Sequence, residues 1–344
     1  MKTIKFFLFF ALAASAFKCT DKNQNATSDS FFAKGADIGW LTQMEASGIK
    51  FYNSSGVVED CMQILKDKGI NSIRLRAWVH PAYGWNNTTD VVTKAKRAKN
   101  LGMKIMIDFH YSDSWADPGK QPKPSAWSNL SFDSMKTSLH NYTKGVMDTL
   151  KQNGIVPEWV QVGNETNDGM LWEEGRASTH MSNFAELIKA GYSAVKEVNP
   201  ATKVILHLSN GYDNNLFRWM FDDLKNCGVE YDIIGMSVYP SYAPQGVNGW
   251  SAVNEQSLAN MNDMVTRYGK PVMIVEAGMP YNQAEMCKSF LTDIIAKTKS
   301  IRGGNGLGVF YWEPQCYNNW QGYTLGAFDN SGKPTSALDA FLSN

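Results

Sequence analysis

Trp159-Val160-Gln161-Val162-Gly163-Asn164-Glu165 is a short apolar run that ends in a polar pair, and runs of this kind recur along the chain. Between them lie amphipathic stretches such as Phe184 to Val198, where apolar residues repeat at helical spacing. Strands that alternate with helices predict a parallel sheet with crossover helices. The eight candidate strands are Ala33–Trp40, Ile70–Trp78, Met103–Phe109, Pro157–Gly163, Lys203–Leu208, Ile233–Val238, Val272–Glu276 and Leu307–Trp312. Eight such units without a linker predict one α/β domain, a (β/α)8 TIM barrel over residues 31–344.

An open doubly wound sheet is the alternative architecture, and it would carry a Gly-rich phosphate-binding turn after its first strand. Ala36-Asp37-Ile38-Gly39-Trp40 contains no such turn, and the P-loop pattern is absent from the sequence. A last helix within Pro334 to Leu342 would close the ring. Glycines that precede several strands are expected to cap the preceding helices, namely Gly69, Gly102, Gly154 and Gly269.

The composition argues against a nucleic-acid partner. Lys and Arg together number 33, as do Asp and Glu, so the formal net charge is zero, and no long basic run occurs. Aromatic residues make up 12% of the chain. Several tryptophans lie in predicted loops, where they either stack on sugar rings or pack against the barrel: Trp85, Trp115, Trp172 and Trp320.

The N-terminus has the features of an export signal. Lys2 and Lys5 precede the apolar run Phe6–Ala16, which is too short to span a bilayer but suits a signal peptide. We expect a signal peptide over residues 1–18 and a polar tether over 19–30, with lipid on Cys19 as the membrane attachment. Cleavage after Ala14-Ser15-Ala16 is the alternative, and Lys18 fits a lipoprotein signal poorly. The protein is thus expected at the cell surface as a lipoprotein, or secreted or periplasmic.

Four further cysteines could pair in an exported protein. Cys61 shares an apolar stripe with Val57, Ile64 and Leu65 of a predicted helix, so burial is expected for it. Cys287 and Cys316 are candidates for a disulfide near one rim of the barrel, although spacing does not fix the pairing. No pair of cysteines has metal-ligand spacing, so no metal site is predicted.

Polar residues close almost every predicted strand. Burying such groups without partners is costly, so a purely structural core would not select them. In a (β/α)8 barrel the C-terminal ends of the strands meet at one face, where active sites lie. The sequence therefore predicts one polar cleft lined from these ends: Arg74 and Arg76, Asp108 and His110, Asn164 and Glu165, His207 and Asn210, Tyr239, Glu276, and Trp312 and Glu313.

Glu165 and Glu276 close strands four and seven, so they can face each other across the barrel mouth. Glycoside hydrolysis needs two carboxyls, one protonated and one ionised, and a separation of ~5–5.5 Å gives retention of configuration. We expect Glu276 to attack the anomeric carbon and Glu165 to act as proton donor and then base. Burial and the nearby negative charge should raise the pKa of Glu165. Membership of a structural ion pair is the alternative for either residue.

Neighbouring strand ends supply candidates for substrate binding and for orienting the two carboxyls. Arg74 or Arg76 would keep Glu276 ionised, Asn164 would bind a sugar hydroxyl and Tyr239 would orient Glu276. Trp312 would form the floor under the sugar ring. His110 and His207 are interpreted as supporting or sugar-contacting groups. A metal-dependent hydrolase is disfavoured because strand one has no His-x-His and the chain has only five His.

These residues resemble the endo-β-1,4-galactanases (arabinogalactan endo-1,4-β-galactosidases) of glycoside hydrolase family 53. The most specific stretch runs from Asp108-Phe109-His110-Tyr111 to Gln121, followed by Pro124 to Trp127. It makes Asp113 and Trp115 candidate substrate-binding residues. Four shorter stretches agree: Arg74–Val79, Trp159–Glu165, Val275–Gly278 and Tyr311–Pro314.

The resemblance implies endo-hydrolysis of β-1,4-galactan in pectin side chains, with Glu165 as acid/base and Glu276 as nucleophile. Some bacterial relatives bind calcium in a long Asp-rich loop after strand seven. Here Gly278 to Ala284 is short and lacks that pattern, so no cofactor is expected. The expected partner is the polysaccharide, bound by a monomer. A β-mannanase or xylanase, and a non-catalytic surface glycan-binding barrel, are the alternatives.

Overall fold

The structure is a computed structural model that describes Met1 and residues 31–342. The chain divides into two compact units, Met1–Ser30 and Phe31–Asn344, and the described strands and helices belong to the second. The predicted signal peptide and tether, including Cys19, lie outside the described residues apart from Met1. Within residues 31–342, none of the helices combines the length and apolarity needed to span a bilayer.

Eight parallel strands close into a single barrel in sequence order, and the last strand pairs with the first. The strands are β1 (Ala33–Asp37), β2 (Ser72–Ala77), β3 (Lys104–Phe109), β4 (Trp159–Val162), β5 (Lys203–Leu208), β6 (Ile233–Val238), β7 (Val272–Ala277) and β8 (Gly306–Trp312). Each lies within or within one residue of a predicted strand. The prediction of a (β/α)8 barrel is confirmed.

Helices cover the outside of the barrel in the connections between strands. They are α1 (Leu41–Ala46), α2 (Cys61–Asp67), α3 (Thr88–Asn100), α4 (Phe132–Gln152), α5 (Ala177–Val198), α6 (Asn214–Asn226), α7 (Trp250–Tyr268) and α8 (Ala284–Lys299). Side-chain oxygens of Asp60, Asn87, Ser131 and Asp213 accept backbone N–H groups at the first turns of α2, α3, α4 and α6. The four predicted capping glycines all have positive φ, the conformation that a glycine cap adopts.

The barrel interior has an apolar lower part and a polar upper part. An apolar plug fills the lower part: Ala33, Met106, Trp159, Ile205, Ile233, Met273, Val275 and Phe310. Further along the same strands the inward side chains are polar and equally buried: Asp37, Arg74, Asp108, Gln161, His207 and Ser237. Because each buried polar group needs a partner, this layer forms a hydrogen-bonded network that supports the cleft above it.

Two local predictions are corrected by the structure, and the predicted closing helix is confirmed. Val57 is 61% exposed and lies outside α2, because Asp60 caps the helix and Cys61 begins it. The closing helix is a 3-10 helix over Ser336–Phe341. The candidate disulfide is not formed, since Cys287 and Cys316 are free thiols. The sulfur of Cys287 lies 3.7 Å from the Tyr311 hydroxyl, whereas that of Cys316 lies 4.0 Å from the sulfur of Met44.

Candidate active site

Glu165 and Glu276 line the same cavity at the C-terminal end of the barrel. Aromatic side chains from the end of β8 and from the loops form much of its wall. The other residues that line it are His110, Trp115, Ala116, Asp117, Pro118, Asn164, Ser209, Asn210, Tyr239, Tyr242, Trp312, Tyr323 and Leu325. The strand-end reasoning therefore located the cleft and both carboxyls within it.

A register shift in β7 directs Glu276 into the cleft. Met236 pairs with Ile274 but the next residue, Ser237, pairs with Glu276, so Val275 is skipped. Val275 already points into the apolar plug. In a regular strand the following residue would point outward, because side chains alternate between faces. The bulge instead brings two successive side chains to the barrel interior, a use of bulges that recurs beside active sites.

Two groups hold the Glu276 carboxylate. Arg74 Nη1 lies 2.8 Å from Oε1, and the Tyr239 hydroxyl donates a hydrogen bond of 2.9 Å to Oε2. Arg74 also contacts Asp37 at 2.8 Å and Asp108 at 2.9 Å, and it donates to Asn164 Oδ1 at 2.9 Å. Arg74, and not Arg76, is therefore the cation beside Glu276. The predicted bond from Tyr239 is also present.

Glu165 is held at both its backbone and its carboxyl group. Its φ of 44° lies in the left-handed region, which is uncommon for non-glycine residues. The backbone N–H donates to His207 Nδ1 at 3.2 Å. The Ser237 hydroxyl donates to Oε1 at 2.7 Å. These contacts fix the carboxyl at the edge of the cleft.

Glu165 and Glu276 differ in how readily they hold a proton. Burial raises the pKa of Glu165 to about 7, although the bond from Ser237 and the charge of Arg74 oppose the shift. Burial raises the pKa of Glu276 well above its ordinary value too, and Arg74 opposes this through a direct ion pair. Among the described residues, no Lys or Arg lies within ion-pair distance of Glu165. Because Arg74 and Tyr239 both bind the Glu276 carboxylate directly, we assign the charge of the pair to Glu276 and the proton to Glu165.

Arg76 occupies a second buried site on the same face of β2. Its guanidinium pairs with Glu313 and is surrounded by the rings of Trp40, Trp78, Trp115 and Trp312, whose centroids lie 4.6 to 5.9 Å away. A side chain at Gly39 would place its Cβ 2.1 Å from Arg76 Nη1, so a glycine is required there. Trp115 and Trp312 also line the cleft. Arg76 thus supports the aromatic floor from below.

Other predicted residues fall into two groups. His110, Asn164 and Trp115 line the cleft with Trp312, whereas Trp85 and Asp113 line an adjoining cavity. His110 Nε2 lies 3.0 Å from Asp108, and its Nδ1 accepts from the Ala116 N–H at 3.3 Å. The carboxylate of Asp113 accepts hydrogen bonds from the backbone N–H groups of His80 and Ser125, so both of its oxygens are bonded within the protein.

Five of the predicted residues line neither cavity. His207, Arg74 and Arg76 are fully buried beneath the cleft, where they contact protein groups. Trp320 packs against the barrel next to the adjoining cavity. Trp172 donates its ring N–H to the carbonyl of Asp168 at 2.7 Å and packs under Arg176. A position at a strand end or in a loop does not reveal how deeply a side chain is buried. The sequence alone therefore does not separate these residues from those that line the cleft.

Sequence reasoning missed several groups that shape the site. Ser237 lies inside β6, one residue before the predicted strand end, so the strand-end rule did not select it. Asp37 and Gln161 lie within strands, where a polar residue on the inward face was the available signal. Tyr242 and Tyr323 belong to loops beyond the strand ends. Only the closed ring brings these loops to the cleft.

The adjoining cavity extends the cleft on one side. It shares Trp115, Trp312 and Tyr323 with the first cavity, so the two are continuous. Trp40, Trp78, Tyr83 and Trp85 add four more aromatic rings, and Tyr83 is 87% exposed. Such a surface suits a ligand longer than one sugar ring. Within residues 31–342, no three His, Cys, Asp or Glu side chains are grouped to hold a metal ion.

The closed barrel, the paired carboxyls and the aromatic cleft define the class as a glycoside hydrolase of the (β/α)8 type. The model of glycosyl hydrolase family 53 matches residues 33–341, and the chain belongs to this family.

Relatives and solved structures agree with this family. A probable arabinogalactan endo-β-1,4-galactanase A of Neosartorya fischeri is 33% identical, over 85% of this chain and 86% of the relative. The arabinogalactan endo-β-1,4-galactanase A of Emericella nidulans is 32% identical, over 92% and 91%. A fungal β-1,4-galactanase structure superposes with a TM-score of 0.84 at 30% identity, covering 92% of this chain and all of that one.

Proposed function

We propose that the protein is an endo-acting, retaining β-1,4-galactanase that cleaves internal bonds of galactan, as in the type I arabinogalactan side chains of pectin. Membership of family 53 and the relatives named for this activity support the substrate. The observation that carries the mechanism is the asymmetry of the two carboxyls in one cleft. Glu276 has a direct ion pair with Arg74 and a hydrogen bond from Tyr239, whereas Glu165 has the Ser237 hydroxyl as a neutral donor and, among the described residues, no Lys or Arg within ion-pair distance.

In the first step, a Glu276 oxygen attacks the anomeric carbon as the bond from that carbon to the leaving oxygen breaks. Glu165 gives its proton to the leaving oxygen, and a galactosyl ester of Glu276 forms. Arg74 and Tyr239 hold the attacking carboxylate in one orientation. This orientation reduces the entropy that must be lost in reaching the transition state.

In the second step, Glu165 acts as a base. It takes a proton from a water molecule, whose oxygen attacks the same carbon and displaces Glu276. Two displacements on opposite faces retain the β configuration. Glu165 is reprotonated by this step, so the enzyme returns to its starting state.

The buried charges favour a positively charged transition state. Four buried carboxyl groups and two buried guanidinium groups lie inside the barrel at this end: Asp37, Asp108, Glu276 and Glu313 with Arg74 and Arg76. Burial holds the pKa of His207 well below its ordinary value, so it adds no positive charge. The surplus of carboxyls stabilises the oxocarbenium-like sugar without reorganisation of solvent.

The adjoining cavity supports endo action. A cleft that continues past the first cavity over Trp85 and Tyr83 accommodates further galactosyl units of a polymer. Binding along several units places the reacting bond inside the chain. We therefore expect oligosaccharides of mixed length early in the reaction.

A time course on potato galactan tests the substrate, the endo action and the catalysis together. Expected results are a rapid fall in viscosity, early products of several lengths and little release from mannan or xylan. Proton NMR of the first product formed should show the β anomer, and an early α anomer would contradict retention. Absence of reducing ends from galactan would refute the substrate. Binding of galactan without cleavage would support a glycan-binding barrel instead.

We also propose that the protein is exported and anchored through lipid on Cys19, and that one chain suffices for catalysis. The apolar run Phe6–Ala16 and the following cysteine support export and anchoring. Labelled palmitate should be incorporated by the wild type and not by Cys19→Ala. Export without label would indicate free secretion. Light scattering during size-exclusion chromatography should give the mass of one chain.

A further inference from the structure

A buried chain of hydrogen bonds leads from β5 to Glu165. His207 Nε2 lies 2.8 Å from Ser237 Oγ, and Ser237 Oγ lies 2.7 Å from Glu165 Oε1. His207 and Ser237 are at most 1% exposed, so the chain is shielded from solvent. The same imidazole accepts the backbone N–H of Glu165 at Nδ1. One histidine therefore touches both the peptide group of Glu165 and the partner of its carboxyl.

The neighbours of His207 fix the position of its ring proton. Nδ1 faces two donors, the backbone N–H of Glu165 at 3.2 Å and the Gln161 amide nitrogen at 2.8 Å. The Gln161 amide cannot be reversed, because its nitrogen donates to Asp108 and its oxygen accepts from Arg74 Nε. Nδ1 must therefore be an acceptor, although Asn164 Oδ1 also lies 3.2 Å from it. In the neutral ring the single proton is on Nε2.

The direction of the remaining bonds follows from this proton. His207 Nε2–H donates to Ser237 Oγ, which leaves the hydroxyl hydrogen of Ser237 to be donated to Glu165 Oε1. Oε1 then acts as an acceptor, and a proton on it would face the hydroxyl hydrogen. We propose that His207 and Ser237 are positioning residues that confine the acidic proton of Glu165 to Oε2, an inference that rests on the proposed galactanase function.

The arrangement serves both steps of the reaction. In the first step the proton leaves from Oε2 to the leaving oxygen, while the bond from Ser237 to Oε1 persists. In the second step Oε2 takes the proton from water, and the carboxylate has not had to rotate. His207 also supports the left-handed backbone of Glu165, with its φ of 44°, through the bond to the N–H. The carboxyl therefore keeps one orientation in both protonation states.

Charged and titratable groups from other strands and loops also face Glu165. They are Arg74, Asp108, Asp117, His207, Tyr239, Tyr242 and Glu276. Arg74 stabilises the ionised form of Glu165, whereas Asp108 and Asp117 raise its pKa. All of them remain when Ser237 is changed. A shift in the Ser237 variant therefore reports the loss of the bond to Oε1.

Ser237→Ala tests the proposal in the full-length protein. The bond from Ser237 stabilises the ionised form of Glu165, so its loss raises the pKa of that carboxyl. The basic limb of kcat/KM on galactan should move up by about one pH unit, and kcat/KM should fall by about tenfold. An aryl β-galactoside with a good leaving group needs little protonation, so its first step should be nearly unaffected.

Ser237→Thr retains a hydroxyl and should restore the wild-type pH profile. Ser257→Ala is the matched control, because Ser257 is equally buried but donates only to the Val253 carbonyl within α7. Nitrogen-15 NMR should show His207 as the neutral Nε2–H tautomer. An unmoved basic limb in a folded Ser237→Ala protein, or an Nδ1–H tautomer, would overturn the proposal. A wild type inactive on galactan would instead refute the proposed function, while the NMR result would still report on the proton.

Discussion

Arg74 and Arg76 lie two residues apart on the same face of β2, and both are fully buried, yet their surroundings differ. Arg74 is surrounded by oxygen atoms of Asp37, Asp108 and Glu276 within 2.9 Å. Arg76 pairs with Glu313 and, at 3.6 Å, with Asp37, but within residues 31–342 its Nε and Nη2 have no hydrogen-bond partner and face tryptophan rings instead. The same side chain thus serves two different environments.

The difference separates two tasks of the barrel mouth. Five donors in a rigid fork allow Arg74 to hold the Glu276 carboxylate, two amide oxygens and two aspartates at once. The flat face of Arg76 stacks with aromatic rings, a contact that a guanidinium makes well after it leaves water. We infer that changes around Arg74 affect the chemical step, whereas changes around Arg76 affect folding and the binding floor.

The largest effect is expected for Glu276→Ala, beside Arg74. Removal of the nucleophile should lower kcat on galactan on the order of 10⁴-fold or more, because no covalent intermediate can form. Affinity for galactan, measured by affinity electrophoresis, should remain close to that of the wild type. Near-normal turnover would show that Glu276 is not the nucleophile. Arg74 could then not act in the chemical step by holding it.

Arg74→Lys should have the next largest effect. Lysine keeps the charge but not the fork, so kcat should fall by about 10²- to 10³-fold. Arg74 lowers the pKa of Glu276, so a weaker ion pair raises that pKa. Glu276 must be ionised to attack, and the acid limb of kcat against pH should therefore move upward. Arg76→Lys is the matched control. An equal shift of its acid limb would remove the distinction between the two arginines.

Arg76→Met tests the structural task of Arg76 through the free energy of unfolding. Loss of the cation leaves Glu313 buried without its partner, which should cost about 3–5 kcal/mol in the free energy of unfolding when Glu313 is ionised. Burial already raises the pKa of Glu313 to about 7, and Arg76 opposes that shift. The folded variant therefore binds the proton more tightly than the unfolded chain, and its stability falls as pH rises above the unfolded value of about 4.3.

Urea unfolding of Arg76→Met at pH 5 and pH 8 measures this dependence. The variant should be less stable at pH 8. The double variant Arg76→Met/Glu313→Gln removes both charges, so much of the loss should be recovered and the difference between the two pH values should shrink. Equal stability of the single variant at both values would contradict a buried, titrating Glu313.

Much of the architecture could be predicted from local sequence pattern. Eight apolar runs with polar ends identified the barrel, its active face and the pair Glu165 and Glu276. Arg74 and Arg76 are two residues apart, so the period of a strand predicts that they share one face of β2. The depth of each side chain below the cleft could not be predicted, because it depends on which residues of the closed barrel lie next to it. His207 and Trp312 both follow the strand-end rule, but only Trp312 reaches the cleft.

The register between neighbouring strands and the positions of the loops could not be predicted from the sequence pattern either. The bulge that directs Glu276 inward arises from pairing between β6 and β7 and leaves no mark on either strand alone. Trp85 and Trp320 both lie in loops, yet one lines the adjoining cavity and the other packs beside it. Tertiary contacts decide which tryptophan lines a cavity and which one packs against the barrel. The tryptophan content of the sequence could not predict this.

Trp85→Ala probes the region above Arg76 with the smallest expected effect. Loss of one aromatic platform should raise KM for galactan by about 2- to 10-fold, with kcat nearly unchanged. Short oligosaccharides that do not reach the adjoining cavity should be cleaved as by the wild type. Trp219→Ala is the matched control, since Trp219 on α6 is 38% exposed and lines neither cavity. If KM for the polymer were the same in both variants, the polysaccharide would not extend over Trp85, and the aromatic region supported by Arg76 would contribute only to packing.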